Sequence, residues 1–172
     1  MTNPLEEAYH AYIKNSEFYR GVIISQTIQL ERLIDEFIAR YFIPGSKKKL
    51  ELMELLISDR MSFNDKADVF IHLLKKKCEI LGKDFKAEFP RIAKDFQEIA
   101  KDRNRFAHDM SALPSSEDEY YQASIILVPF KNGAQKKLYY AKDISIITER
   151  LTKYTKIISM INDDDTGEPT AQ

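Results

Sequence analysis

The chain has 172 residues, 44% of them hydrophobic, enough to build the core of a single ordinary domain. Its 26 basic and 27 acidic residues leave a formal charge of −1, so no overall field draws in nucleic acid and any such contact needs a local patch. One cysteine, Cys78, excludes both an intramolecular disulfide framework and a cysteine-based zinc site.

Asn3-Pro4 reads as a helix start, with proline at the first helical position. The helix is expected to run through Tyr9, Tyr12 and Ile13 towards Phe18, with Gly21 marking either a break or a bend. Ile23, Leu30, Ile34, Phe37 and Tyr41 then follow a three-four alternation, interrupted by Thr27 and stopped at Pro44-Gly45. Ser46 is expected to cap a short helix through Leu50, Met53 and Leu56, and a turn follows at Ser58-Asp59. Ser62, with Asp65 three residues on, resembles a capping box in which Asp replaces the usual Glu. The helix it opens carries Phe63, Ala67, Phe70, Leu74 and Cys78 inward, and Gly82 ends it. Cys78 on that stripe reads as a small buried apolar residue. Pro90 opens the next helix, which is expected to reach His108.

The texture then changes. Leu113 to Glu119 reads as a loop. Tyr120 to Phe130 and Gln135 to Ala141 read as two strands of a hairpin over about residues 120–141, joined at Asn132-Gly133. Pro129 places the first strand at an edge or at least denies it a ladder donor there, and Tyr120-Tyr121 are expected to face Tyr139-Tyr140 across the pair. Ile144, Ile147, Leu151, Tyr154, Ile158 and Ile161 form an unbroken helical stripe. Residues 163–172 are polar and are expected to be a disordered tail, leaving one domain over 1–162. The expected fold class is mainly α: a bundle of about five helices with a β-hairpin inserted before the C-terminal helix. No segment has the apolar length needed to span a membrane and no leader pattern opens the chain, so the expected location is the cytoplasm, without membrane contact.

The chemistry concentrates in Arg103-Asn104-Arg105-Phe106-Ala107-His108. Ile92, Phe96 and Ile99 recur at helical spacing and Phe106 continues the row, which puts Arg103 where an apolar residue belongs. A cation there needs a partner. The plain reading supplies a buried acid such as Asp35 or Glu36, and leaves Asn104 and His108 as helix-end residues. The functional reading starts from geometry. At 100° per residue Asn104 and His108 lie about 40° apart, whereas Arg103 and His108 lie about 140° apart. One straight helix cannot easily aim both at one atom, but two copies about a two-fold axis can share a cleft. A guanidinium stays charged and matches phosphate bidentately. An imidazole moves protons at neutral pH. Those are the parts that metal-free RNA cleavage needs, with Asn104 to orient His108 or hold a phosphate oxygen.

The same six residues resemble the signature of the HEPN superfamily, an Arg followed after four to six residues by a His. Asn104 directly after the Arg and Ala107 directly before the His match its RNxxAH branch. The resemblance implies a small helical bundle, often a homodimer, cutting single-stranded or loop RNA without metal or other cofactor. It assigns the catalytic roles to Arg103 and His108, with Asn104 beside them. It also implies a toxin, phage-defence or stress setting in which an antitoxin or other regulatory protein is a partner. Some family members keep the fold without catalysis and bind RNA, a nucleotide or a protein through the same face. One toxin branch carries a modifiable tyrosine two residues after the His; Met110 stands there in this chain, which argues against that form of control.

Further RNA contacts are expected from Arg105 and from Lys47, Lys48 and Lys49, if that run flanks the cleft. Lys75, Lys76 and Lys77 read as a solvated face. The other histidines, His10 and His72, have no neighbouring ligand set, so a metal phosphohydrolase is not expected. A nucleotide-hydrolysing enzyme is not expected either, since no glycine-rich phosphate loop is present.

Overall fold

The computed structural model of the protein describes residues 4–43, 51, 53–58, 60–130 and 135–164. The expected stop at Pro44-Gly45, the cap at Ser46, the run Lys47-Lys48-Lys49, the turn Asn132-Gly133 and the tail from 165 lie outside them. Helix α1 runs over Pro4–Phe42, a π-helical stretch over Met53–Ser58, α2 over Phe63–Ile80, α3 over Phe85–Glu88 and α4 over Ile92–His108. They are followed by β1 (Met110–Ser111), α5 (Glu117–Gln122), β2 (Ile125–Val128), β3 (Lys137–Tyr139) and α6 (Ala141–Asp164). The chain is thus mainly helical, with a small antiparallel sheet completed before the last helix. Among the described residues no helix is long and apolar enough to cross a membrane.

The described residues form two compact units, one of residues 1–27 with 101–151 and the other of 28–100 with 152–172. Helices α1, α4 and α6 contribute residues to both.

In the second unit the core is aromatic. The Phe70 ring meets Phe37 at 4.9 Å edge-on and stacks on Phe96 at 5.8 Å, while Phe96 meets Tyr154 edge-on at 5.1 Å. The Tyr154 hydroxyl donates to Asp95 at 2.7 Å, which satisfies a carboxylate buried on α4. The expected capping box is present: the Asp65 amide donates to the Ser62 hydroxyl, and the Ser62 amide donates to the Asp65 carboxylate. The Ser62 hydroxyl also donates to the Asp65 carboxylate at 2.6 Å, and that bond first, with the Ser62 amide second, holds the Asp65 carboxyl below its ordinary value. Gly82 follows α2 at φ +66°, a left-handed conformation that suits glycine where a helix stops. Cys78 is buried as expected, and desolvation raises its thiol above the ordinary value. It lines a cavity of about 260 Å³ with Leu74, Lys77, Leu81 and Phe89.

Lys66 overturns the expectation of where a buried charge would lie. It is 1% exposed, and its ammonium donates to Glu31 at 2.7 Å and Asp35 at 3.1 Å, two acids one turn apart on α1. Glu36 bonds Arg40 within the same helix, and Arg40 donates to the Asn162 carbonyl at 2.6 Å. Lys66 and Arg40 are thus met by carboxylates and, for Arg40, a backbone carbonyl.

In the first unit α1 continues through Gly21 without a break, because a single glycine costs only about 1 kcal/mol in a helix that is otherwise well formed. The Thr27 hydroxyl donates back to the Ile23 carbonyl at 2.8 Å, which lets a polar residue sit in the buried stripe. The sheet has the order β1-β2-β3, with Ser111 opposite Leu127 and Ile125 opposite Tyr139.

Several expectations here are corrected. The expected antiparallel pair is present as β2 and β3, but the sheet has a third strand, β1, directly after the motif helix. Tyr120 and Tyr121 lie in α5, where the Ser116 hydroxyl caps the helix by accepting from the Glu119 amide, so they do not pair with Tyr139-Tyr140 across strands. Of the two readings of Pro129, the edge position is not found, since β2 is the central strand; the lost donor fits, since β2 stops at Val128, one residue before the proline. Ile125, Ile126 and Leu127 are all fully buried, so this strand shows no inside-outside alternation. α6 extends to Asp164, two residues into the segment expected as tail.

Candidate functional site

All six motif residues lie at the C-terminal end of α4, in the first unit once past residue 100. Helical geometry sorts them. Phe106 points inward, fully buried, with its ring 4.9 Å from that of Tyr139. Lys101, Asn104 and His108 are exposed, and their spacing of three and four residues puts them on one face. Arg105, half-buried, borders that face.

Arg103 is half-buried rather than enclosed. Its guanidinium donates to the Asn104 side-chain oxygen at 3.2 Å. Asp35 meets Lys66 and Glu36 meets Arg40, and among the described residues no ion pair of Arg103 appears. The wheel alone separates Arg103 from His108. The contact with Asn104 turns the guanidinium towards the residue that shares a face with His108.

The end of the helix is tied down by residues that sequence reasoning missed. Arg20 on α1 donates to the Ala107 carbonyl at 3.3 Å and to the Ser111 hydroxyl at 3.1 Å. A cation on the last carbonyls of a helix is favourable for the dipole and satisfies an otherwise orphaned acceptor. The Asp109 amide still donates to the Arg105 carbonyl at 2.9 Å, so the helix is regular through His108. Immediately afterwards Met110 and Ser111 pair with Val128 and Leu127. The Ala112 amide donates to the Ile126 carbonyl at 3.0 Å. The reciprocal rung is made through a phenol: the Ile126 amide donates to the Tyr12 hydroxyl at 2.9 Å, which donates to the Ala112 carbonyl at 2.8 Å. Asp102 on α4 meets Arg150 on α6 at 3.6 Å. The motif side chains thus project from a helix end fixed by α1, β2 and α6.

Tyr139, expected only as a strand residue packing across the pair, also meets the motif helix. Buried at 1% exposure, it accepts a long hydrogen bond from Arg105 at 3.5 Å and carries the Lys137 ammonium 4.4 Å from its ring centre. Burial raises its phenol above the ordinary value, and the Arg105 contact acts against that rise. Nothing in local pattern distinguishes Tyr139 from Tyr140; only the strand register does.

Of the expected contacts, Arg103, Asn104, Arg105 and His108 are gathered on one helix end, while Lys47, Lys48 and Lys49 lie outside the described residues. His10 and His72 are exposed on α1 and α2. Chemically, the site offers an imidazole open to solvent, a guanidinium held by an amide, and further cations along the same helix. Comparison with protein-family models, with curated proteins and with solved structures returned no match.

Proposed function

We propose that the chain is a HEPN-like endoribonuclease of the cytoplasm, cutting single-stranded or loop RNA without a metal ion. What carries the reading is the exposed Asn104–His108 face with the Arg103 guanidinium drawn to it, at a helix end anchored on both sides.

In the proposed reaction an imidazole takes the proton of a ribose 2'-hydroxyl, and that oxygen attacks the adjacent phosphorus. Arg103 stabilises the charge building on the non-bridging oxygens. The bond from phosphorus to the 5'-oxygen breaks as an acid returns a proton to the leaving oxygen. The products are a 2',3'-cyclic phosphate and a 5'-hydroxyl. Base and acid are two protonation roles on opposite sides of the phosphorus, and two copies of His108 in a homodimer supply both. Asn104 fixes the orientation of the Arg103 guanidinium. An antitoxin or other regulatory protein would act by covering this face.

The test is cleavage of a labelled mixed-sequence RNA in EDTA by wild type and His108→Ala. Cleavage by wild type alone, ending in cyclic phosphate, is the expected result. Equal background in both, with RNA still retained by the protein, replaces the reading by that of a non-catalytic RNA-binding module. A purely monomeric mass by light scattering removes the two-copy site.

A further inference from the structure

Three cations in the first unit stand together, none of them in a direct ion pair among the described residues. Arg105 reaches the Tyr139 hydroxyl from α4, and Lys137 lies over the same ring from β3. Lys101 precedes Arg105 by one helical turn. Among the described residues none of the three has a carboxylate within ion-pair distance. The nearest acids act on Lys137 from beyond ion-pair distance and have direct partners of their own: Asp102 meets Arg150, and Asp143 accepts the Tyr140 amide at 2.9 Å. The adjacent Lys136 shows the contrast, since it is held by Glu119 and the Ser115 hydroxyl. The Lys137 ammonium is held below its ordinary value by burial first and by Arg105 second, with Lys101 adding in the same direction and Asp102 and Asp143 acting against them. Like charges gathered this way repel, and a bound anion relieves the repulsion.

The shape of the cluster selects the anion. Tyr139 is a buried post, so it fixes the cations and offers no ring face for stacking. Lys101 and Lys137 are exposed, so the cations form an open shelf rather than a closed pocket. Lys101, Arg105 and His108 follow a four-then-three spacing, which sets them in one row along α4. Along that row Arg105 precedes His108 by about 4.5 Å of helix rise.

We propose that Arg105, Lys137 and Lys101 hold a backbone phosphate of single-stranded RNA, next to the one presented to His108. This assignment rests on the ribonuclease reading for its ligand. It adds a substrate-positioning site built from helix and sheet together, and it gives the small sheet a role in setting how the strand lies across the motif.

The experiment uses the full chain and a 2'-O-methyl oligoribonucleotide, which has no attacking hydroxyl, so binding is measured apart from cleavage. Affinity is followed by fluorescence anisotropy against salt for wild type, Arg105→Gln, Lys137→Gln and Lys137→Arg. Each lost phosphate contact should lower the salt slope by about 0.7, which is about 5-fold in affinity at 0.1 M salt. Lys137→Arg should restore the wild-type slope. Should Arg105→Gln fail to fold, Lys137→Gln on its exposed side chain carries the test alone. An unchanged slope and affinity in Lys137→Gln overturns the anchor, as does absence of wild-type binding at low salt. Cleavage with an unchanged slope removes the anchor and leaves the ribonuclease. A reduced slope without any cleavage removes the ribonuclease and leaves the anchor.

Discussion

Lys66 and Lys137 are both lysines beside an aromatic-rich core, yet their surroundings are opposite. Lys66, in the second unit, is enclosed and shared by Glu31 and Asp35. Lys137, in the first, stands beside Arg105 and Lys101, with Asp102 and Asp143 acting on it but no direct ion pair among the described residues. The charge of Lys66 is settled internally and serves the fold. That of Lys137 is left open towards solvent, where a ligand can meet it. Overall composition, nearly neutral, conceals the difference because the two kinds of cation count alike.

The largest expected effect is at the enclosed pair. Lys66→Met removes the ammonium and leaves Asp35, 4% exposed, without its cation, which should cost about 3–5 kcal/mol. Denaturant unfolding measures this, and a loss under about 1 kcal/mol would mean that Lys66 does not lock the second unit. A middling effect is expected at the cap of α2, where Ser62→Ala should cost about 1 kcal/mol. Its pH dependence has a definite sign. Ser62 holds the Asp65 carboxyl below its unfolded value, so this contribution is present above the unfolded pKa of about 3.9 and is lost as pH falls through the lower folded value. The stability difference between wild type and Ser62→Ala should therefore shrink in acid, and a difference that grows there would contradict the assignment. The smallest effect on stability is expected in the first unit. Arg103→Ala should change unfolding free energy by no more than about 0.5 kcal/mol, since its polar contact is an exposed one with Asn104. On cleavage the same substitution should cost about 100- to 1,000-fold. A large loss of stability in Arg103→Ala would erase the contrast between enclosed and open cations.

Much of the helical frame was legible before any coordinates. Stripes such as Phe63, Phe70 and Leu74 or Ile147, Leu151 and Tyr154 identify helices because burial repeats every three or four residues, and all six are buried. The capping box at Ser62 was legible because its two hydrogen bonds are local. Lys66 was not. Between Asp65 and Ala67 it reads as a solvated residue, and only Glu31 and Asp35, one turn apart on a distant helix, explain its burial. Tyr120 to Gln122 read as strand on aromatic content, but the Ser116 cap decides for helix at that length. β1 was invisible because two residues cannot display a period. At the site, the motif residues stand out by type and spacing. Arg20, Tyr139 and Lys137 do not, since what places them is strand register and contacts over long separations in sequence.

Tyr12 carries a last consequence. Its single hydroxyl completes a rung between strands about a hundred positions away, directly after the motif. A fragment begun after residue 27 would retain every motif side chain and lose both that rung and the Arg20 clamp. The motif is accordingly not portable. Transplanted onto another helix, the six residues would arrive with their spelling intact and their mooring left behind.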